Sequence, residues 1–259
     1  MLYDTHIHLG FISETQILEI CDKFSSGFLC SCAQDIEDFS RQQSNAKKLQ
    51  KAGINTLCAL GIHPLYLNSL DVYTLEKAIT EKSFATKKIV AIGEIGLDFY
   101  TQELKDNAQN QENVFAMQLE LAIKYNLSVI VHLRKAVGKV FSFVPLLKKC
   151  PSVYFHAFEG KCNEANALLK RGVNAYFGIG KTLLKGDKSA TDLVTSFDKS
   201  RLLFETDSPY QTLRGEEYSS PLDVLKVIKK ANEISSFDFF SVIKNNTERA
   251  FSTALCKPL

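Results

Sequence analysis

The sequence predicts an α/β fold: one (β/α)8 barrel, a TIM barrel, formed as a single domain by residues 1–259. Eight short apolar runs alternate with helical patterns, and one strand and helix together take about 32 residues, which is typical of such barrels. The chain is 45% hydrophobic, which is enough to bury one sizeable core. A doubly wound open sheet fits the same local alternation and remains the alternative from the sequence alone.

The predicted strands are short, and several are nearly continuous in apolar residues, as expected of parallel strands that are covered on both faces. The runs KIVAIGEI and LSVIVHL are two examples. In chain order the strands are predicted at Leu2–Ile7, Gly27–Ala33, Ile54–Gly61, Lys88–Ile95, Leu127–Leu133, Ser152–Ala157, Val173–Ile179 and Leu202–Thr206.

Three of the intervening helices have recognisable ends or faces. The segment Asn113–Asn126 has apolar residues at 3- and 4-residue spacing, and Asn163–Arg171 begins at a capping asparagine. Ser220 and Pro221 predict the start of another helix. Its apolar stripe comprises Leu222, Leu225, Ile228 and Ala231. The polar stretch Thr101–Asn113 predicts a long flexible loop between the fourth strand and the next helix.

Charge and cysteine content exclude several classes of protein. The net charge is only +2, so the chain lacks the broad basic field of a protein that coats duplex DNA, and contact with a polyanion must be local. The seven cysteines are odd in number and scattered, which indicates reduced thiols. Cys30 and Cys32 lie in an apolar run and are expected to be buried rather than to bind metal. Without a leader pattern or an apolar stretch of about 18 residues, we expect a soluble, cytoplasmic protein.

Side chains that can bind metals lie at the ends of the predicted strands. All five histidines do so, Glu94 ends the fourth strand, and Asp207 follows the eighth. The histidines are His6, His8, His63, His132 and His156. Because the carboxyl ends of barrel strands converge on one mouth, where catalytic groups are found, we expect these side chains to meet there.

This set contains too many ligands for one tetrahedral site, and a carboxylate can bridge two cations. We therefore expect two divalent cations per chain, with Glu94 between them. The first would be bound by His6, His8 and Asp207, and the second by His132 and His156. Mixed nitrogen and oxygen ligands admit zinc, manganese, cobalt, nickel or magnesium.

Other polar residues are expected to support these ligands. Strict alternation along the first strand places Asp4 beneath its two histidines and Tyr3 on the opposite face. Glu205 would point into the barrel one layer below Asp207. It would either support the ligands or form a structural ion pair. His63 would orient substrate or a ligand, or else pack beside the proline that follows it. Asp207, taken alone, also suits a helix cap.

Seven segments occur in order from one end of the chain to the other: DTHIHL, LGIHP, AIGEIGLDFY, VIVHLRKA, FHAFEG, LLFETDSPY and NNTERAF. In order and spacing they resemble the signature segments of the TatD family of metal-dependent deoxyribonucleases. The resemblance implies an amidohydrolase-like TIM barrel with a two-metal site. It carries ligand roles onto His6, His8, Glu94, His132, His156 and Asp207.

Two positions depart from the family pattern. Leu65 follows GIHP where the family often has a histidine. Glu159 lies in FHAFEG where the family commonly has HCFSG, and its negative charge near the proposed mouth would disfavour a phosphate there. Neither departure removes an expected ligand.

The expected chemistry is hydrolysis by a water molecule that two cations hold and acidify. Glu94 and Asp207 are the expected catalytic residues, and Asp207 would accept the proton. Arg134 lies two residues beyond His132 and shares its strand face, where a planar guanidinium suits phosphate oxygens; a salt bridge at the rim is the alternative. Arg134 and His63 are therefore the expected substrate contacts.

With the family resemblance, this site implies cleavage of DNA phosphodiester bonds by an exonuclease that favours single-stranded or frayed ends. Phe99, Tyr100 and Tyr210 follow strands and are candidates for base stacking, although each also suits packing at the base of a loop. A hydrolase of the same architecture that acts on a carboxylic ester, amide or lactone is the alternative. The surplus of ligands argues against a binding protein with a structural metal. A monomer is favoured.

Overall fold

Eight parallel strands pair in chain order, and the eighth returns to the first. The computed structural model describes residues 1–80, 89 and 91–252. Its strands are β1 (Leu2–Ile7), β2 (Gly27–Ala33), β3 (Ile54–Leu60), β4 (Ala91–Asp98), β5 (Ser128–Arg134), β6 (Val153–Phe155), β7 (Ala175–Ile179) and β8 (Leu202–Phe204). Ile7 forms a parallel bridge with Ser208, beyond β8, and the His8 N–H donates to the Ser208 carbonyl at 2.8 Å. The fold is the predicted TIM barrel, and the open-sheet alternative is wrong.

Helices connect the strands, and several of them are single turns. Within the described residues they are α1 (Glu14–Lys23), α2 (Ile36–Lys51), α3 (Val72–Thr80), α4 (Gln102–Asp106), α5 (Ala108–Tyr125), α6 (Val137–Val140), α7 (Val144–Leu147), α8 (Cys162–Lys170), α9 (Lys188–Ser196), α10 (Val224–Ser235) and α11 (Ile243–Ala250). Short 3₁₀ segments include Leu9–Phe11, Lys181–Lys185 and Pro221–Asp223. None of the helices in this part of the chain is long and apolar enough to cross a membrane.

The strands bury side chains on both faces, because helices cover the outer face and side chains fill the barrel. In β2, Leu29 packs into the outer core, whereas Phe28, Cys30 and Cys32 pack inside the barrel with Tyr154. Cys30 and Cys32 are buried thiols, as the sequence predicts. The seventh cysteine, at position 256, lies outside the described residues.

The bounds of β4 differ from the prediction. The predicted start, Lys88, lies outside the described residues, and the strand continues past the predicted end to Asp98. Glu94 is therefore within the strand and not at its end. The pairing of β4 with β5 shifts register after Ile92. Gly96 has a φ of +139° and lies so close to β5 that a Cβ at this position would be 2.1 Å from a carbonyl oxygen. Only glycine fits this approach, so the irregular strand follows from the GEIG sequence.

The polar stretch after β4 is helical, so the long loop predicted over Thr101–Asn113 is wrong. Thr101 caps α4 by accepting the Leu104 N–H at 3.3 Å, and α5 follows after one residue. No side chain of α4 is buried, which explains why the sequence shows no apolar period. Gln111 in α5 fixes both helices to the barrel, because its buried amide accepts the Asp98 N–H at 2.8 Å and donates to the Asp98 carbonyl at 3.0 Å.

The helix start at Ser220 and Pro221 is confirmed, but a different face is buried. Ser220 accepts the Leu222 N–H at 3.2 Å, yet the first turn is the 3₁₀ segment Pro221–Asp223, and α10 starts at Val224. A tighter first turn rotates the face that points inward. The buried residues of α10 are Val224, Val227, Ile228 and Ala231, whereas Leu222 and Leu225 are half-buried.

Candidate metal centre

The carboxyl ends of the strands bring the predicted ligands together in one buried cluster. Ligand atoms within 4.8 Å of one another form three groups, namely His6 with His8 and Asp207, His6 with Glu94 and His156, and His63 with Glu94 and His132. All six expected ligands therefore meet, and His63 joins them. His6 is fully buried and Glu94 is only 3% exposed, so bulk water screens these charges weakly.

Glu94 lies at the centre, and its two carboxylate oxygens face different histidines. Oε1 is 2.5 Å from His156 Nε2 and 2.8 Å from His132 Nδ1. Oε2 is 3.3 Å from His6 Nε2 and 3.6 Å from His8 Nε2. The carboxylate thus directs one oxygen towards each half of the cluster, which is what a group that bridges two cations must do.

Asp207 completes the half of the cluster that contains His6 and His8. Its Oδ1 lies 3.4 Å from His6 Nε2 and 3.3 Å from His8 Nε2, while its Oδ2 accepts the Gln211 side-chain N–H at 3.1 Å. Asp207 has a φ of +57°, a left-handed conformation that aspartate tolerates better than most residues. Its N–H donates to the His6 carbonyl at 3.0 Å, so β1 fixes its position.

In His8, His132 and His156, one ring nitrogen faces a supporting group outside the cluster. The other ring nitrogen faces the cluster and is free to bind a cation. His8 Nδ1 donates to a carbonyl of β2 at 3.1 Å, which leaves the lone pair on Nε2. His132 Nε2 is 3.1 Å from Asp98 Oδ2, so its Nδ1 faces Glu94 as the ligand atom. His156 Nδ1 faces Glu205 Oε1 at 3.8 Å, which favours a lone pair on Nε2.

His63 has the opposite arrangement. Its Nδ1 accepts the Leu65 N–H at 3.1 Å, which places the proton of the neutral ring on Nε2, 3.3 Å from Glu94 Oε1. Burial lowers the pKa of His63 and outweighs the opposing effect of Glu94, so the ring is neutral. The distance alone would admit His63 as a ligand, but its hydrogen bonds make Nε2 a donor, which supports a role in positioning substrate or a ligand.

Buried carboxylates and imidazoles shift one another's pKa values in this cluster. Burial alone would raise the pKa of Glu94, but the imidazoles, His156 foremost, hold it well below its usual range. Burial and His156 both disfavour protonation of His6, yet Glu94 and Asp207 raise the pKa of His6 to about 9. Protonated imidazoles therefore balance the carboxylates, and divalent cations would supply the same positive charge.

Asp98 is a site residue that the sequence reasoning missed. It is fully buried, its Oδ2 contacts His132, and its Oδ1 accepts the Tyr100 N–H at 2.9 Å. Burial opposes its ionisation, but the hydrogen bond with His132 lowers its pKa and keeps it charged. A signal was present, because Asp98 and Glu94 are four residues apart in one strand. Ending the predicted strand at Ile95 concealed this relation.

Glu205 lies inside the barrel below the cluster. Its Oε1 accepts the Ala157 N–H at 2.6 Å, and its Oε2 accepts a hydrogen bond from the Tyr154 hydroxyl. The Thr5 hydroxyl, 2.8 Å from that of Tyr154, extends this buried network. Burial and then the charge of Glu205 raise the pKa of Tyr154 well above its usual value, so the hydroxyl stays a donor. The network holds Glu205 towards His156.

Asp4 bonds main-chain groups and a hydroxyl rather than an imidazole ring, and β1 departs from the strict alternation predicted for it. Its Oδ1 accepts the N–H groups of His6 at 3.2 Å and Thr206 at 3.1 Å, and its Oδ2 accepts the Thr206 hydroxyl at 2.6 Å. The pairing of β1 with β2 shifts register between Asp4 and Ile7, and Tyr3 is half-buried and packs against both the outer core and the cluster inside the barrel. An irregular strand loses its period of two. Asp4 therefore supports the main chain that carries the ligands.

The rim of the mouth carries Arg134, the predicted substrate contact. Its guanidinium lies over the Tyr100 ring, 3.7 Å from the centroid, and this ring contact replaces the alternative rim salt bridge among the described residues. Glu159 accepts the Lys135 N–H at 3.3 Å and so fastens the loop after β6 to the loop after β5. Phe99 packs against the core, in agreement with the alternative that it packs at the base of a loop rather than stacks on bases.

The residues of the cluster fit a divalent cation. His6 Nε2 is buried with no well-directed hydrogen bond in the described part of the structure, although a carboxylate oxygen lies 3.3 Å away. Buried ring nitrogens normally have a partner. A cation between His6, His8 and Asp207 would satisfy this atom, and the nitrogen and oxygen donors suit several divalent metals.

A TIM barrel with buried histidines and carboxylates at its mouth is the arrangement of a metal-dependent hydrolase. The chain belongs to the family of TatD related DNases, whose family model matches residues 3–252. This membership confirms the resemblance that the sequence motifs carry.

Individual relatives agree with the family and the fold. YabD of Bacillus subtilis, described as an uncharacterized metal-dependent hydrolase, is 29% identical over 264 residues, which cover 96% of this chain and 97% of that protein. TatD of Escherichia coli, described as a 3′–5′ ssDNA/RNA exonuclease, is 31% identical over 173 residues, which cover 66% of this chain and 64% of that protein. The crystal structure of the TatD homologue YjjV from Escherichia coli superposes with a TM-score of 0.81 at 25% identity, and covers 97% of this chain and 98% of that chain.

Proposed function

We propose that this protein hydrolyses phosphodiester bonds of DNA with two divalent cations, as an exonuclease on single-stranded or frayed ends. The observation that carries the proposal is the division of the Glu94 carboxylate between two groups of histidines. Paired cations suit phosphodiester cleavage, because they stabilise both the attacking and the leaving oxygen. The family model and the exonuclease description of Escherichia coli TatD support the substrate class.

In this proposal the first cation binds His6, His8 and Asp207, and the second binds His132 and His156, with Glu94 between them. Zinc, manganese, cobalt, nickel and magnesium all accept such donors. Metal analysis and anomalous diffraction on fully loaded protein should find two cations per chain. A single fully occupied site with Glu94 pointing elsewhere would contradict the bridge.

When bound, divalent cations would supply positive charge that acidifies a water molecule and stabilises the phosphoryl group. Asp207 is placed to accept the proton of that water at Oδ1, because Gln211 occupies its Oδ2. Burial disfavours the ionised form of Asp207, but the neighbouring imidazoles of His6 and His8 hold its pKa well below the usual range, so the carboxylate is charged.

Arg134 and His63 contact the substrate in this mechanism. The guanidinium of Arg134, steadied on Tyr100, presents N–H groups to the phosphate oxygens. His63 Nε2 lies 3.3 Å from Glu94 Oε1 and would donate a hydrogen bond to a substrate held beside that carboxylate. A chain end enters the closed mouth of a barrel more readily than the middle of a stiff duplex does, which favours exonuclease action.

The test follows end-labelled single-stranded DNA, blunt duplex DNA and RNA beside a panel of carboxylic esters, amides and lactones. Metal-loaded protein should shorten single-stranded DNA from one end, and Glu94→Ala should abolish this. If the wild type cleaves esters and leaves DNA intact, and Glu94→Ala abolishes the ester activity, the nuclease proposal is wrong and the ester, amide or lactone hydrolase replaces it.

A further inference from the structure

Three turns at the mouth share one pattern. Each turn begins at a residue of the cluster, whose carbonyl accepts a hydrogen bond from the N–H of the residue three positions later. That later residue carries a large, exposed aromatic ring. The closing hydrogen bonds run from Phe11 to the His8 carbonyl at 3.0 Å, from Tyr66 to the His63 carbonyl at 2.9 Å, and from Tyr210 to the Asp207 carbonyl at 2.7 Å. Phe11, Tyr66 and Tyr210 are 45%, 47% and 43% exposed. Three different strands thus place an aromatic ring one turn beyond the candidate metal centre.

Two of the rings lie against histidines of the cluster, and the third, Phe11, lies beside Tyr210. The Tyr210 ring centroid is 5.1 Å from that of His8 and 6.4 Å from that of Phe11. The Tyr66 ring centroid is 5.7 Å from that of His63. Exposed apolar surface concentrated around a site indicates a ligand that covers it.

Charge does not explain this surface. Arg41 lies 5.5 Å from the centroid of Phe11, but its guanidinium is paired with Glu37 at 2.6 Å and lies 3.8 Å from Asp38. The rings therefore offer stacking faces and hydroxyl donors rather than free positive charge. Nucleobases fit such a surface, because every base has a π face and stacks on aromatic side chains regardless of sequence.

We propose that Phe11, Tyr66 and Tyr210 form an aromatic collar that binds unpaired nucleobases next to the bond being cleaved. The inference rests on the proposed function, since the collar adjoins the site that would cut the strand. In a duplex the bases are paired and stacked on one another and are not offered to the rings. The collar therefore selects single strands and frayed ends by their bases, while the metal centre acts on the phosphate.

The test compares two strands of about six nucleotides, one with bases and one abasic throughout. Both carry a fluorophore and phosphorothioate links, which slow cleavage by the metal-loaded protein, and fluorescence anisotropy measures the dissociation constants. The wild type should bind the strand with bases at least about ten-fold more tightly, and Phe11→Ala and Tyr210→Ala should each weaken that binding by about ten-fold with little change for the abasic strand. Tyr210→Phe keeps the ring and should bind as the wild type does, which separates stacking from a folding defect.

Phe240 provides the matched control, because it is also 43% exposed but follows a helix rather than a strand. Phe240→Ala should bind both strands as the wild type does. Equal affinity of the wild type for the two strands, or equal losses for both strands in the collar variants, would overturn the collar. Failure of the proposed function is a separate result: strands with ordinary links would stay intact, while a base preference in the binding assay would still support the collar.

Discussion

At the residue scale, the chemistry depends on the groups behind each ligand. His8 is held by a carbonyl of β2 and His132 by Asp98, while the carboxylate of Glu205 faces His156 Nδ1 at 3.8 Å. A carboxylate behind an imidazole fixes its tautomer and makes the opposite nitrogen a stronger ligand. The supporting groups therefore determine the cation affinity together with the ligands themselves.

Asp98→Ala should weaken cation binding by about 10- to 100-fold, because His132 loses the partner that orients it. Asp98→Asn, which keeps an oxygen for the His132 ring, should lose less. Titration against a metal-chelating dye measures both. Asp106→Ala is the control, since Asp106 is exposed and bonds only Gln102 among the described residues. Unchanged cation affinity in Asp98→Ala would show that Asp98 serves only to hold the main chain.

Glu94→Ala and Asp207→Ala should both be inactive but should differ in metal content. Loss of Glu94 removes the oxygens that face both halves of the cluster, whereas loss of Asp207 leaves the half with His132 and His156 intact. Metal analysis after dialysis should therefore find close to one cation per chain in Asp207→Ala and fewer in Glu94→Ala. The same loss in both variants would count against Glu94 as the bridge.

At the element scale, strand bounds could be predicted where an apolar run ends at a turn, whereas irregularities within a strand could not. The predicted bounds of β1 and β2 match the structure, since each is a short apolar run between turns. β4 extends beyond its prediction because Gly96 allows a conformation that the apolar pattern does not show. α4 was missed because it buries nothing. The meeting of the six expected ligands could be predicted from their places at or near the carboxyl ends of predicted strands, whereas Asp98 depended on the true end of β4.

The loop that carries Asp207 and Gln211 is fastened by a buried lysine that sequence patterns do not reveal. Lys181 is fully buried, and its Nζ bonds Glu216 at 2.5 Å, Ser219 at 3.1 Å and Asp223 at 2.7 Å. These bonds tie the segment after β7 to the segment after β8. Lys181 and Asp223 are about forty positions apart in the chain, so no local sequence period predicts their contact.

Lys181→Met should lower the free energy of unfolding by about 3–5 kcal/mol, because it removes the buried cation and leaves the carboxylate of Asp223 with only the exposed Lys226 as a charged partner. Lys226→Met is a matched control: Lys226 contacts the same Asp223 at 2.7 Å, but its side chain is 65% exposed. Its loss should cost less than about 1 kcal/mol. Urea unfolding measures the free energy of unfolding of both variants. Equal decreases would show that the burial of Lys181 does not strengthen its contribution to stability.

The ion pair between Lys181 and Asp223 also predicts how stability changes at low pH. Burial disfavours the charged form of Asp223, but Lys181 and Lys226 hold its pKa below the ordinary value of 3.8. A carboxyl whose pKa is lower in the folded state stabilises the fold above its ordinary pKa, and this stability is lost as the pH falls through the folded value. Urea unfolding between pH 6 and about pH 3 should therefore show the wild type and Lys181→Met converging in acid. A constant difference across this range would contradict the assignment.

At the scale of the whole molecule, the barrel gathers its chemistry at one mouth while the chain as a whole stays nearly neutral. A net charge of +2 over 259 residues gives no general attraction for nucleic acid. Affinity for a strand must therefore come from cations at the cluster, from stacking, and from few phosphate contacts. Both the fold class and the near-neutral charge could be read from the sequence, because they depend on the number and order of elements and on composition.

The near-neutral charge predicts a shallow salt dependence of strand binding. For single strands, the logarithm of the association constant falls with the logarithm of salt concentration by about 0.7 for each phosphate neutralised. With Arg134 as the main contact at the rim, the slope should stay below about 2, and Arg134→Ala should reduce it by about 0.7. Arg171→Ala is a matched control, since Arg171 also lies over a ring, Phe141, at 4.8 Å, but follows helix α8. Anisotropy titrations from low to moderate salt measure the slopes. A steep slope that Arg134→Ala leaves unchanged would mean that the strand follows a basic surface elsewhere on the barrel, and that the mouth is not its main binding site.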